Sequence, residues 1–340
     1  MRISYERLHA AMVRALLRTG CSPDRAKHLA DIVADNTLEG STSHGVSRFP
    51  RLLKNIQDGM VDIHAKPSCE RAFGAIALWD GHFGVGPLIA EEAMNEAMAL
   101  AQIHGIAAVG VRNTNHWMRP GYYGLMAARA GYIGICWSNT MPNMPAWGAT
   151  DARLGNNPMV LAVPYRDAPL LVDMAMSQFA YGKLEMAALE GKKLPIPGGY
   201  DLDGKLTDDP GAILKSRRVL PTGYWKGTAL SMALDLIGCA MTLGNTVGEI
   251  AGDGTKQEQG MTQVFIAIHY QALTDAKEVE SRIAAAIDYT LQSKRADPDQ
   301  PIRYPGQNIP AIRARNLREG LPVHEAIWAQ IETFNESGAF

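Results

Sequence analysis

Two short polar segments of this chain combine histidine with groups that bind anions or donate hydrogen bonds. The first reads Ser-His-Gly-Val-Ser-Arg over 43–48, and the second reads Asn-Thr-Asn-His-Trp-Met-Arg over 113–119. Histidine exchanges protons near neutral pH, and an arginine can hold a carboxylate by two parallel hydrogen bonds. Together these groups suit a reaction in which a keto acid is held and its carbonyl oxygen is protonated.

Each histidine alone is consistent with an inert loop residue, and its neighbours favour a functional interpretation. Ser43 can fix the tautomer of His44, and Arg48 lies one helical turn away if the segment coils. His116 follows Asn115, a further hydrogen-bonding side chain. Paired histidines also raise the possibility of a metal site, but the carboxylate ligands that such sites usually recruit are missing nearby. We therefore expect no metal.

The hydrophobic pattern predicts an α/β fold in which helices bracket a sheet-rich middle. Two helices fill the first forty residues, with Ser4 and Ser22 as their N-caps. Later helices are predicted near 50–56, 87–101, 229–243, 279–291 and 323–331. Strands are predicted at 75–79, 106–111, 132–137, 159–163, 170–174 and 265–268. The segment at 43–48 thus directly follows a pair of helices. The segment at 113–119 directly follows a buried strand, and the ends of strands are favoured positions for ligand sites.

The same pattern suggests how the chain is divided. Residues 1–70 together with 275–340 are expected to form one discontinuous helical layer. Residues 71–274 form the sheet-rich unit, interrupted by an excursion at about 191–219 that is rich in glycine and proline. Such a long polar excursion is predicted to be a surface arm or lid.

Composition and missing motifs exclude several classes of protein. The net charge of the 340 residues is −2, with Lys and Arg dispersed, so nucleic-acid binding has little electrostatic basis. No signal peptide is apparent, and no apolar run reaches the roughly 18 residues of a membrane span, so a cytoplasmic protein is expected. The four cysteines lie far apart with no CxxC pair, which predicts free, buried thiols.

No dinucleotide fingerprint is present either. The glycines of 81–86 are in the wrong order for G-x-G-x-x-G, and the P-loop, G-x-S-x-G and H-E-x-x-H motifs are missing. A nicotinamide, if used, must bind a fold other than the Rossmann fold. Asp173, at the end of an apolar strand, could be a solvated terminus or an acceptor for a ribose hydroxyl. Lys226, just before a helix, could face a phosphate or only solvent.

Six segments resemble the type-2 malate/L-lactate dehydrogenase family, in register across nearly the whole chain. They are Ser-His-Gly-Val-Ser-Arg-Phe-Pro at 43–50, Arg-Asn-Thr-Asn-His-Trp-Met-Arg at 112–119, Gly-Tyr-Ile-Gly-Ile-Cys-Trp at 131–137, Gly-Asn-Asn-Pro at 155–158, Val-Asp-Met-Ala at 172–175 and Gly-Tyr-Trp-Lys-Gly at 223–227. The His-Trp-Met-Arg and Tyr-Trp-Lys-Gly forms favour a branch of the family that reduces a sugar-derived diketo acid.

The resemblance implies a non-Rossmann NAD(P)-binding fold, with a mixed β-sheet core and the helical layer described above. It also implies a homodimer with active sites near the subunit interface, and 2-keto/2-hydroxy acid chemistry with NADH, NADPH being possible. Asp173 favours NADH, because a carboxylate would repel a 2′-phosphate. His44 would be the proton donor. The expected substrate-binding residues are Ser43, Arg48, Asn115, His116 and Asn156.

The resemblance further implies a path for the nucleotide along three segments. The expected contacts are Pro169, Leu170, Leu171, Val172, Asp173, Met174, Ala175, Trp225, Lys226, Gly306, Gln307 and Asn308. Two positions depart from the family pattern. Asn308 stands where an acidic residue is usual, and Asn156 replaces a threonine common in this branch.

Other functions remain open from the sequence. Within the family, malate, ureidoglycolate and sulfolactate dehydrogenation and cyclic-imine reduction all occur on similar scaffolds. Outside it, His44 and His116 could serve a metal-dependent hydrolase, or the chain could bind sugar acids without catalysis.

Overall fold

A computed structural model describes residues 1–251 and 258–339, and its centre is a seven-stranded mixed sheet. The strands run in spatial order β1-β2-β3-β7-β4-β5-β6. Only β2 and β3 pair in parallel, and the other neighbours are antiparallel. Their bounds are β1 Ser68–Phe73, β2 Ile76–Asp80, β3 Ile106–Asn115, β4 Ile133–Ser138, β5 Met159–Val163, β6 Leu170–Met174 and β7 Gln259–Ile268. The predicted α/β class with a mixed sheet is confirmed.

Helices flank this sheet and form a layer beside it. Their bounds are α1 Tyr5–Arg18, α2 Pro23–Leu38, α3 Phe49–Gln57, α4 Gly86–His104, α5 Gly121–Arg129, α6 Tyr181–Leu189, α7 Pro210–Ser216, α8 Trp225–Thr242, α9 Val247–Ala251, α10 Ala276–Leu291, α11 Ile309–Glu319 and α12 Glu325–Ser337. Short 3₁₀ turns cover Thr42–His44, Val46–Arg48 and Tyr270–Ala272. The predicted cap of α1 is present, since Ser4 Oγ accepts from the Arg7 N–H, whereas Ser22 makes no such bond at α2.

The two ends of the chain share one hydrophobic core. Leu16 of α1, Leu29 of α2 and Phe334 of α12 are buried in the same cluster. Arg2–Ile3 also pairs with Leu321–Pro322 as a small antiparallel ladder. This core holds the C-terminal end of α2 in place, and the first histidine segment follows directly after that end.

The middle of the sheet is apolar on both faces. Val109 of β3 and Phe265 of β7 are completely buried, and α4 covers one face with a row of alanines that includes Ala93 and Ala97. Such burial explains why these strands were predictable as continuous apolar runs. In the structure β3 continues to Asn115, so the second polar segment begins inside the strand.

The excursion at 191–219 contains packed elements, whereas the sequence predicted a surface arm or lid. Gly199–Tyr200 pairs with both Leu206–Thr207 and Arg218–Val219 in a three-stranded sheet beside α7. Leu194 and Ile213 are buried in a core shared with Leu184 of α6. A further small ladder joins Met144–Pro145 to Ala152–Leu154.

Two remaining expectations concern the cysteines and membrane spans. All four cysteines are free, but burial holds only for Cys21 and Cys136, and Cys69 is exposed because every residue of β1 faces solvent. The prediction of buried thiols is therefore wrong for Cys69, and Cys239 is only partly buried. Among the described residues, no helix is both long and apolar enough to cross a membrane.

Candidate active site

The His44 segment folds as two consecutive 3₁₀ turns between α2 and α3. Thr37 near the end of α2 anchors it, since its Oγ1 accepts from the Val46 N–H at 2.9 Å. A Cβ on Gly45 would lie 2.5 Å from that same oxygen, so only glycine fits this close approach. Ser43 Oγ lies 3.0 Å from His44 Nδ1, as the tautomer argument expected.

The second histidine segment meets the first. The rings of His44 and His116 stack with their centroids 5.8 Å apart and their planes within 19°. The Met118 N–H donates to His116 Nδ1 at 3.1 Å. A neutral His116 with its Nδ1 accepting must carry its proton on Nε2, which makes that nitrogen a hydrogen-bond donor. The structure thus brings together the two segments that the sequence singled out.

A cleft opens beside the ring of His116, and His44 stacks on that ring without lining the cleft itself. It is lined by Arg48, Arg51, Leu52, Asn55, Val61, Asn115, His116, Met118 and Glu258. Glu258 joins Arg48 in a short charge-assisted contact, and its Oε2 lies 3.3 Å from Arg51 Nε. Sequence reasoning missed Arg51 and Glu258, and neither carried a motif that would have found it.

Both histidines are held in the neutral form in the ligand-free protein. Burial, followed by the charge of Arg48, lowers the pKa of His44 to about 4. The carboxylate of Glu258 opposes this shift and raises the pKa. Burial also lowers the pKa of His116 well below its usual value, with Arg48 adding to the effect. At neutral pH the histidine pair therefore adds no charge to the cleft.

Asn115 lines the cleft, but its amide nitrogen is already engaged. Its Nδ2 donates to the carbonyl oxygens of Phe83 and Gly84 at 2.7 and 2.8 Å. Its Oδ1 is buried and accepts no hydrogen bond. Asn115 was expected to bind substrate, and the side-chain atom that it has left without a partner is an acceptor.

Asn156 lies outside the residues that line this cleft. Its Oδ1 accepts from Asn143 Nδ2 at 2.9 Å and from Thr140 Oγ1 at 3.2 Å. The carbonyl oxygen of Asn143 in turn accepts from Tyr181 at the start of α6. The next residue of that helix, Gly182, approaches Ser43. Asn156 is thus connected to the His44 segment through α6 rather than by direct contact.

The three segments expected to hold a nucleotide lie along β6, which is an edge strand. At the start of β6, the Leu171 N–H donates to the Pro305 carbonyl at 2.9 Å. A Cβ on Gly306 would lie 2.5 Å from the Pro169 carbonyl oxygen, so this loop packs tightly on the strand. Beyond the end of β6, the Thr222 N–H donates to the Met176 carbonyl at 2.8 Å, just before α8.

The groups along this edge fit a dinucleotide. Trp225 is 63% exposed and offers a flat apolar surface, and Lys226 is exposed in the first turn of α8. That helix has no side-chain N-cap, but the N–H groups of Lys226, Gly227 and Thr228 already donate to backbone carbonyls, so the group offered to a phosphate here is the Lys226 ammonium. In the neighbouring loop, Asn308 is the N-cap residue of α11 and its side chain makes no capping bond.

Asp173 has a structural role that the sequence argument did not include. Its Oδ2 accepts from the Gly121 N–H at the start of α5 at 3.0 Å, and Arg119 Nε lies 3.7 Å away. Burial raises the pKa of Asp173, and the charge of Arg119 opposes that shift. The carboxylate thus stabilises a helix terminus through one oxygen, and the second oxygen can still accept from a ribose hydroxyl.

Arg119 connects this strand to the helical layer. Its Nη1 donates at 2.7 Å to Glu39, whose side chain is only 2% exposed. Arg129 and Arg313 also pair with Glu39. Glu39 caps the C-terminus of α2, directly before the His44 segment. Among the described residues, no group of three or more His, Cys, Asp or Glu side chains is placed to hold a metal ion.

Comparison with known proteins shows the family of the chain. The chain matches the malate/L-lactate dehydrogenase family over residues 3–332. It is 42% identical to the 2,3-diketo-L-gulonate reductases of Shigella boydii and Escherichia coli over 333 residues, covering 98% of this chain and 99% of each relative.

Solved structures of the same fold cover the whole chain. Sulfolactate dehydrogenase from Methanocaldococcus jannaschii superposes with a TM-score of 0.90 at 28% identity, covering 100% of this chain and 98% of that one. Malate dehydrogenase from Pyrococcus horikoshii gives a TM-score of 0.89 at 28% identity, covering 100% and 96%. The chain therefore belongs to the malate/L-lactate dehydrogenase family and is an oxidoreductase.

Proposed function

We propose that the protein reduces 2,3-diketo-L-gulonate to 3-keto-L-gulonate with NADH, and that His44 donates the proton. The observation that carries this proposal is that His44 stacks on His116, which lines one cleft together with Arg48. The 42% identity to reductases of that name supports the choice of substrate.

Arg48 is proposed to hold the C1 carboxylate. Its guanidinium has five N–H donors, of which Glu258 uses part, so the remaining donors can pair with a substrate carboxylate. His116 would donate from Nε2 to the carbonyl oxygen as negative charge develops there. Ser43 holds the His44 ring through Nδ1, which leaves the other ring nitrogen for the substrate.

His44 must become protonated before it can donate a proton in the reduction. In the ligand-free protein His44 is neutral, because burial and Arg48 lower its pKa. A substrate carboxylate bound to Arg48 would offset that positive charge and raise the pKa of His44. His44 can then be protonated when substrate is present and can act as a general acid. In the reverse direction the neutral imidazole is already competent as a base.

The nucleotide would be held along residues 169–175, at Trp225 and Lys226, and by the 306–308 loop. Bound NADH would supply a hydride to the carbonyl carbon. Asp173 favours NADH, because its carboxylate would repel the 2′-phosphate of NADPH. We also propose a homodimer, which the exposed apolar side chains of Leu236 and Ile237 on α8 support, and a cytoplasmic location.

The proposal is tested by replacing the proton donor and the carboxylate ligand separately. His44→Ala should lower kcat by about two to four orders of magnitude, while NADH affinity measured by fluorescence stays nearly unchanged. Arg48→Lys should mainly raise KM, because a lysine cannot form the bidentate pair. Unchanged turnover in His44→Ala would reject the proton-donor role, and an unchanged KM would remove Arg48 from the carboxylate site.

A substrate panel separates the remaining functions. NADH oxidation is followed with 2,3-diketo-L-gulonate, oxaloacetate, sulfopyruvate and a cyclic imine, and NAD⁺ reduction with ureidoglycolate. Preference for any of the latter four would replace the proposed substrate and keep the enzyme class. Activity that needs no nicotinamide and is lost with a chelator would indicate the hydrolase. Ligand binding without any change in NADH absorbance would indicate a binding protein.

A further inference from the structure

The charged groups that face the cleft form one compact cluster. Glu258 bridges two guanidinium groups, contacting Arg48 through Oε1 and Arg51 through Oε2. The glutamate side chain is 13% exposed, and that of Arg48 is 22% exposed. The charges of Glu258 and Arg48 are therefore poorly screened by solvent and salt, whereas that of Arg51, whose side chain is 46% exposed, is screened more strongly.

The charges of the described lining residues sum to a single positive unit. Arg48 and Arg51 contribute two, and Glu258 removes one. His116 is neutral, and the other lining residues are uncharged: Leu52, Asn55, Val61, Asn115 and Met118. One carboxylate therefore neutralises the cluster. A second carboxylate would bring an uncompensated negative charge next to Glu258.

We infer that Glu258 determines substrate specificity by matching the cleft to a monoanionic 2-keto acid whose remaining polar groups are uncharged hydroxyls. This rests on the proposed function and narrows its substrate class. The carboxylate of Glu258 keeps lone pairs beyond its two arginine contacts, and these accept hydrogen bonds from hydroxyl groups. The same carboxylate repels the second negative charge of a dianionic keto acid. Specificity then comes from repulsion of the dianion as well as from attraction of the hydroxyl groups.

The test compares two substrates that differ in charge at one position. Oxaloacetate is a dianion, and 4-hydroxy-2-oxobutanoate carries a hydroxymethyl group in place of the second carboxylate. The ratio of kcat/KM for oxaloacetate to that for the hydroxy acid is measured in wild type and in Glu258→Gln. We expect the ratio to rise about tenfold or more in the variant, since the cluster changes from one positive charge to two.

Two further variants keep the result interpretable. Glu70→Gln removes a glutamate that pairs with Arg112 at 2.7 Å outside the cleft, and the ratio should stay at its wild-type value. Arg51→Gln changes the cluster in the opposite direction, to zero net charge, and the ratio should fall. This second variant still tests the inference if Glu258→Gln does not fold.

Three outcomes would overturn the inference. An equal rise in kcat/KM for both acids would show that Glu258 only competes with the substrate carboxylate for Arg48 and does not distinguish the two acids. An equal fall in kcat/KM for both acids would show that Glu258 only holds the two arginines in position. A rise of the ratio in Glu70→Gln would show a nonspecific effect of net charge. If the wild type turns over no keto acid, the proposed function fails. Calorimetric Kd values for the two acids then test the charge selection by the same ratio.

Discussion

Gly86 is the residue through which the start of α4 meets the backbone of the His116 segment. It is buried at the first position of that helix, and its φ is not positive, so its backbone conformation is open to other residues. A Cβ at this position would lie 2.5 Å from the carbonyl oxygen of His116 and nearer still to that of Asn115. Gly86→Ala therefore tests how accurately His116 must be placed, because it changes no group that contacts substrate.

The expected loss of activity follows from how far the new Cβ and the neighbouring carbonyl oxygen must move apart. Real Cβ contacts essentially never fall below 3.0 Å, so the His116 carbonyl and the alanine must separate by about 0.5 Å, and by about 0.9 Å to reach ordinary contact at 3.4 Å. The Asn115 carbonyl also accepts from Gln263 of β7 at 3.1 Å, which resists its movement. Misplacement of a catalytic group by about 1 Å can cost about a hundredfold in rate. We expect kcat to fall by about tenfold to a hundredfold.

The assay is steady-state NADH oxidation with the preferred keto acid, combined with thermal unfolding. Overpacking should lower the free energy of unfolding by about 1–3 kcal/mol, which leaves the protein folded at the assay temperature. Gly248→Ala is the matched control, because a Cβ there meets nothing nearer than 4.0 Å and its φ is not positive. Wild-type kcat in a folded Gly86→Ala protein would refute the claim that this contact positions His116.

Three further predictions concern protonation, stability and thiol chemistry. Because the pKa of His44 is about 4 in the ligand-free protein, kcat/KM for reduction should fall about tenfold per pH unit between about pH 5.5 and 8, as the protonated fraction falls. Glu39→Gln leaves the buried guanidinium of Arg119 without its main carboxylate partner and should lower the free energy of unfolding by about 3–5 kcal/mol in denaturant titrations. Glu319→Gln, at an exposed surface pair, should leave it nearly unchanged. Ellman's reagent should label Cys69 in the native protein and Cys136 only after unfolding, since Cys136 is buried and burial raises its thiol pKa.

Each of these has a result that contradicts it. A flat kcat/KM profile for reduction would show that the rate does not depend on the protonation of His44. Equal losses of stability in the two glutamate variants would mean that burial adds nothing to the Glu39 network. Labelling of Cys136 at the same rate as Cys69 would show that the core around β4 opens readily.

The sequence predicted the central strands because they are buried on both faces, as the apolar run at 106–111 is. It missed β1, since all residues of Ser68–Phe73 are exposed and leave no apolar pattern. Of the terminal helices, α1, α2, α10 and α12 were predictable from their periodic apolar positions, whereas α11 at Ile309–Glu319 was not predicted. The packed elements of 191–219 were not, because many of their polar and glycine residues are typical of loops.

The site was only partly predictable, for reasons that differ between residues. His44 and His116 were singled out by type and by neighbours, but their stacking depends on how α2 and β3 are arranged in space. Glu258 belongs to a polar stretch without periodicity and lies 210 residues from Arg48, so no local signal connects the two. Asn115 was identified by type, but which amide atom stays unpartnered depends on Phe83 and Gly84.

The position of β7 has a consequence for synthesis of the chain on the ribosome. β7 fills the gap between β3 and β4, although it is made after β6, α6, α7 and α8. Until β7 emerges, the edges of β3 and β4 that it will join have no strand between them, and such edges invite aggregation. The Gln263 side chain that holds the Asn115 carbonyl arrives 148 residues after its partner. A nascent chain halted before β7 would thus carry both histidines without the strand that completes their support.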